Sequence, residues 1–132
     1  MIKLSNDEQQ ALLSKAAVRL FTDSNRPFPT KDIFQILDLI ELIEKRSKTY
    51  REQFKKIIDD HNGKVDDRNN VTYETDEDKA KAIEKILELN AATLEYNFEP
   101  LTVDDKWPNL TLAEASILKP LIRNGKNEGY SG

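Results

Sequence analysis

The sequence predicts a mainly helical α+β protein: a long antiparallel helical hairpin on a small head of short helices, with a minor two-stranded sheet made by terminal segments. Three observations lead there. Apolar residues recur by sevens over about four heptads, with Ile33, Ile40, Ser47, Phe54 and His61 in one row and Ile36, Ile43, Tyr50 and Ile57 in the other. A polar connector opening with Asn62 and Gly63 then stops that pattern, and a shorter helical pattern follows. Finally, Ile2 to Leu4 and the stretch Leu94, Tyr96, Phe98 alternate apolar with polar residues, as half-buried strands do.

Taken in order, the first strand leads into a capping box. Ser5 can accept an N–H from the first helical turn, and Glu8 can reach back to the Ser5 backbone. A helix is expected over residues 6 to 21, with Leu12, Leu13, Ala16, Ala17, Leu20 and Phe21 on one stripe and Asp7, Gln10, Ser14 and Lys15 opposite. Pro27 and Pro29 bar any helix from crossing the next segment, and Phe28 between them is expected to fold back as a plug over the helix ends.

The long helix starts near Asp32 and Gln35, a second capping-box pair, with Thr30 as an alternative cap. Over residues 33 to 61 it covers about 29 residues, roughly 43 Å. Leu37, Leu39, Leu42 and Ile58 widen its apolar arc, mostly in the first half. That half should meet two neighbours and the second half one. The connector, residues 62 to 75, reads either as a miniature β-hairpin flanked by Val65, Val71 and Tyr73 or as a loop. A helix over 77 to 95 follows, with Ile83, Ile86, Leu87, Asn90, Thr93 and Leu94 on its inner face. The acidic run Glu74, Asp76, Glu77 and Asp78 sits at its amino-terminus, where it complements unpaired N–H groups. The strand over 94 to 98 is expected to pair with Ile2 to Leu4, and Pro100 ends it. Thr111 and Glu114 form a third capping box, opening a short helix through Leu112, Ala115, Leu118 and Leu121 that Pro120 terminates or bends. A single domain over residues 1 to 122 follows, with the hairpin at 32–95, the head at 1–31 and 96–122, and a mobile tail at 123–132.

Composition narrows the function. The 132 residues carry 20 Lys and Arg against 24 Asp and Glu, a formal charge of −4, which argues against binding a polyanion such as nucleic acid. Lys45, Arg46, Lys48, Arg51, Lys55 and Lys56 form the one basic cluster, scattered around a solvent-facing arc. With no cysteine, thiol chemistry and cysteine-ligated metals are excluded. No apolar run is long enough for a signal peptide or a membrane span, so a cytoplasmic product is expected; a protein packaged into a larger particle from the cytoplasm would look the same.

No catalytic, metal or cofactor site is expected. His61 is the lone histidine, and neither it nor Asp59, Asp60, Asp66 and Asp67 reproduce a metal-site or calcium-loop spacing. Four glycines, at 63, 125, 129 and 132, leave little material for a phosphate-cradling loop. The candidate surface is instead aromatic: Tyr50, Phe54, His61, Tyr73, Tyr96, Phe98 and Trp107. Trp107 reads either as the anchor of a small core or as an aromatic that docks in a partner, and Tyr96 and Phe98 share that ambiguity.

Three pieces carry a family resemblance: the opening Met1-Ile2-Lys3-Leu4-Ser5; the long helix closed by Asn62-Gly63; and the ending Tyr96-Asn97-Phe98-Glu99-Pro100, Leu110-Thr111-Leu112-Ala113-Glu114 and Leu118-Lys119-Pro120-Leu121-Ile122. In these the chain resembles a family of small proteins of unknown function encoded by tailed phages and prophages of low-GC Gram-positive bacteria. The resemblance implies a protein-binding role in the tail or baseplate or in its assembly. The alternative it leaves open is an inhibitor of a host enzyme or defence system. It supplies no catalytic motif. Its expected partner is a phage structural protein or a host protein, with self-association also open because the arc of the long helix is wider than one neighbour can cover.

Overall fold

A computed structural model describes residues 1–122 of the protein; the tail expected to be mobile, 123–132, lies outside the described residues. The order is β1 (Ile2–Ser5), α1 (Asn6–Leu12), α2 (Lys15–Thr22), α3 (Thr30–Asp60), β2 (Gly63–Val65), β3 (Val71–Tyr73), α4 (Asp76–Ala91), β4 (Thr93–Tyr96) and α5 (Leu112–Leu118), closed by a 3-10 turn at Lys119–Leu121.

Local chemistry sets most boundaries. Glu8 N–H donates to Ser5 Oγ at 3.0 Å while Ser5 N–H donates to Glu8 Oε1 at 2.8 Å, completing the capping box of α1. The first helix does not run on to Phe21 as the apolar stripe suggests. It breaks at Leu13 and Ser14, because the Ser14 hydroxyl donates to the Ala11 carbonyl at 2.6 Å and accepts from Ala17 N–H at 3.2 Å. A serine that offers the backbone both kinds of partner competes with the helix and restarts it as an N-cap. Thr111 and Glu114 repeat the full capping box at α5. The 31-residue α3 has no side-chain cap, contrary to the expected Asp32 and Gln35 pair: Pro29 holds the cap position, and Asp32 faces Trp107 instead.

β1 pairs antiparallel with β4, Ile2 opposite Tyr96 and Leu4 opposite Leu94. The connector is a hairpin, with Gly63 opposite Tyr73 and Val65 opposite Val71. The left-handed turn after α3 is made by Asn62, at φ 59°, and not by Gly63. Gly63 is needed for a different reason: a Cβ there would lie 2.5 Å from Ile58 Cγ2 and 2.9 Å from Tyr73 Cε1.

One core joins the head to the first half of α3. Leu4, Leu12, Leu20, Phe28, Ile36, Leu39, Ile43, Tyr96, Phe98, Leu101, Trp107, Leu118 and Leu121 form it. Phe28 is the expected plug, edge-on to Phe21 at 6.0 Å and to Trp107 at 5.0 Å. Beyond Ile43 the buried residues of α3 thin to Ser47 and Ile58. Partners of this segment follow in reverse order along the chain: Arg46 donates to the Glu95 carbonyl, Tyr50 to Asn90 Oδ1, and Asn62 to Asp78 Oδ2.

The inner face of α4 is rotated from expectation. Ala82 is fully buried and Ile86, Leu89 and Asn90 are half-buried, whereas Ile83 and Leu87 face outward. Thr93 and Leu94 belong to β4 and not to a helix ending at 95. Leu112, the first residue of α5, is 87% exposed, whereas Leu118 and Leu121 further along are buried. The rotation of α4 has a packing cause. A helix turns its smallest apolar residue inward where backbones must approach closely, and Ala82 takes that place on α4.

Candidate functional site

One buried polar network and one half-buried hydrogen bond tie the head together. Tyr96 donates through its hydroxyl to Gln9 Oε1 at 2.7 Å, and Gln9 Nε2 donates to the Leu4 carbonyl at 3.2 Å. Arg46 crosses the outer face of the Tyr96 ring, its guanidinium carbon 4.5 Å from the centroid. Burial pushes the Tyr96 phenol pKa up, with Arg46 pulling the other way. Trp107 Nε1 donates to Asp32 Oδ2 at 2.9 Å. Tyr96, Phe98 and Trp107 are therefore interior, and the aromatic surface expected from the sequence loses these three. Of the two readings the sequence left open for them, the core anchor is the one the fold adopts, because residues remote in sequence bury them.

The remaining four candidates lie on the second half of α3 and the β2–β3 hairpin. Tyr50 and Phe54 are one turn apart, ring centroids 6.0 Å apart and tilted by 52°. Burial raises the Tyr50 pKa, and the Asp7 carboxylate adds to the shift. His61 stands within 2.7 Å of the Ile57 carbonyl through Nδ1. A carbonyl oxygen only accepts, so Nδ1 carries the proton and His61 acts as a helix-end cap. Tyr73 packs across from Gly63 and does not join the Tyr50 and Phe54 pair.

Between α3 and the hairpin is a groove of about 420 Å3. Its apolar lining is Tyr50, Phe54, Ile58, Val65 and Val71. Gln10 and Asn69 border it, and Arg51 and Lys55 stand at its edge. No carboxylate is among its lining residues. A second cleft, about 500 Å3, lies between α1 and α5, lined by Asp7, Glu8 and Lys119 with Ala11, Ile117 and Pro120. Mixed charge and shallow alanine and proline walls give it less apolar surface for a ligand to bury.

No family model, curated protein or solved structure matches this chain.

What the groove can do follows from its chemistry. It offers an apolar floor and two cations, and no histidine, serine or paired carboxylate placed to move a proton. Among the described residues, no group of three or more His, Asp or Glu side chains is placed to hold a metal ion, and no helix is long and apolar enough to cross a membrane. Arg51 and Lys55 are exposed, as the solvent-facing basic arc predicts, but their place beside a groove was not visible in the sequence. The roles of Arg46 and Gln9 were likewise hidden, because their partners sit 49 and 87 residues away. No local pattern marks either.

Proposed function

We propose that the chain is a non-enzymatic protein–protein interaction module, acting as a phage tail- or baseplate-associated or assembly protein. It works in the host cytoplasm and is carried into the particle. In this reading residues 32–95 act as an antiparallel helical hairpin held out from a head of residues 1–31 and 96–122. The reverse order of the α3 and α4 partners supports that arrangement.

One observation carries the interaction role. Large apolar side chains stand on the outward faces of the two longest helices: Phe34 (63% exposed) with Leu37 on α3, and Leu87 (63% exposed) with Ile83 on α4. Spacings of three and four place each pair on one strip of its helix. Scattered single exposures need no explanation, but paired strips are what a partner covers. Self-association through these strips is part of the same reading.

The test is fractionation of phage particles from a lysogen carrying a tagged gene. Recovery of the protein in purified particles, or in a complex with tail or baseplate components, is the expected result. Its absence from both, with recovery in a stoichiometric complex with one host enzyme, would replace this reading with host-factor inhibition.

A further inference from the structure

The geometry points to the groove between α3 and the β2–β3 hairpin as the docking site for a partner segment in which large apolar side chains are flanked by carboxylates. This deepens, and rests on, the interaction-module reading.

The apolar half of the requirement comes from the floor. Val65 is 51% exposed at the groove although it sits on the hairpin face that turns toward α3, and Tyr50 and Phe54 are only half covered. At about 420 Å3 the space lies within the range of ligand clefts, roughly 300–1,000 Å3. It is large enough for side chains to enter and leave water.

The acidic half comes from Arg51 and Lys55. They stand four residues apart on one face of α3. Neither takes part in an ion pair among the described residues, whereas neighbouring Lys56 pairs with Asp60 at 3.1 Å and Lys81 with Glu77 at 3.0 Å. In a chain where acids outnumber bases 24 to 20, this groove is edged by two uncommitted cations and lined by no carboxylate, the Asp7 charge being felt only at Tyr50, so its Arg51 and Lys55 side favours an anionic partner. Complementary charge at an apolar cleft selects a partner and sets its orientation. A nucleic-acid strand fits less well. Bases stack on open, flat ring faces, but the Tyr50 and Phe54 rings are tilted against one another and half-buried.

The test uses the full chain with labelled isoleucine and valine methyl groups. It is titrated with a short blocked peptide of alternating leucine or phenylalanine and glutamate. Saturable shifts are expected at the Ile58, Val65 and Val71 methyls. Arg51→Glu combined with Lys55→Glu should weaken binding at least about tenfold while leaving the circular dichroism spectrum unchanged, since both side chains are exposed. The same peptide with lysine for glutamate should not bind. Val65→Glu, which puts a carboxylate into the groove itself, should also abolish the shifts. Equal binding of the acidic and basic peptides would overturn the proposal. So would saturation of these methyls by oligothymidylate or by decanoate in preference to the acidic peptide. Normal entry of the Arg51→Glu/Lys55→Glu protein into particles would sink the groove while leaving the interaction module standing. Failure of the unaltered protein to enter any complex would remove the module even if the peptide bound.

Discussion

Gly63 and Gln9 show how single residues carry constraints that composition hides. Alanine at Gly63 would press its methyl against Ile58 Cγ2 and, at 3.0 Å, against the Ile58 carbonyl, which belongs to the backbone of a helix and cannot swing away. Gly63→Ala should therefore lower stability by about 1–3 kcal/mol in urea denaturation, and an unchanged midpoint would show that the hairpin does not press on α3. At Asn62 the left-handed φ of 59° is the constraint and the space is not, so glycine there should be tolerated where valine is not. Gln9 is buried and serves Tyr96 and the Leu4 carbonyl together. Gln9→Leu strands the Tyr96 hydroxyl, at a cost of about 1–3 kcal/mol. In a double-mutant cycle, adding Tyr96→Phe should recover part of that loss, because the stranded hydroxyl is then gone.

At the level of elements, caps decide where helices start and pairs between elements decide how they sit. Ser14→Ala should cost about 1 kcal/mol by removing the N-cap of α2, measured as a lower midpoint with the helical signal below it retained. Glu114 does two jobs at α5. It closes the capping box with Thr111, and both its oxygens accept from Arg26, at 2.8 and 2.7 Å. The Arg26 guanidinium, helped by the Thr111 backbone N–H, holds the Glu114 pKa down at about 2 from the ordinary 4.5. A carboxylate whose folded pKa is depressed stabilises the fold above its unfolded value and loses that contribution as pH falls. The stability gap between the natural protein and Glu114→Gln should thus be full above about pH 4.5 and shrink steadily toward about pH 2. A gap that stayed constant through that window would mean the Arg26 pair does not form in solution.

For the whole molecule, the division between the buried core and the outward strips of the helices predicts two classes of substitution. Ile43 is fully buried in the core cluster, and Ile43→Asp should prevent folding. Leu87→Lys and Phe34→Lys lie on outward strips and should leave monomer stability within about 0.5 kcal/mol. If the strips mediate self-association, the same two changes should lower the weight-average mass in sedimentation equilibrium at high protein concentration. A natural protein that stays monomeric throughout would remove that part of the reading.

Features written in a few consecutive residues were legible without the fold. The capping boxes at Ser5 and Thr111, the long α3 with its heptad rows and the alternation that marks the first and fourth strands all follow from short-range hydrogen bonding and from periodicity, which act within a turn or a strand. Tertiary structure alone decided which way α4 faces and that Tyr50 and Phe54 meet Val65 and Val71 across a groove edged by Arg51 and Lys55, and it chose the core over the surface for Tyr96, Phe98 and Trp107, where the sequence left both open. A helix with apolar residues on two adjoining strips carries no record of which strip its neighbour will cover. Only the competition for close packing, won here by Ala82 over Ile83 and Leu87, settles that choice.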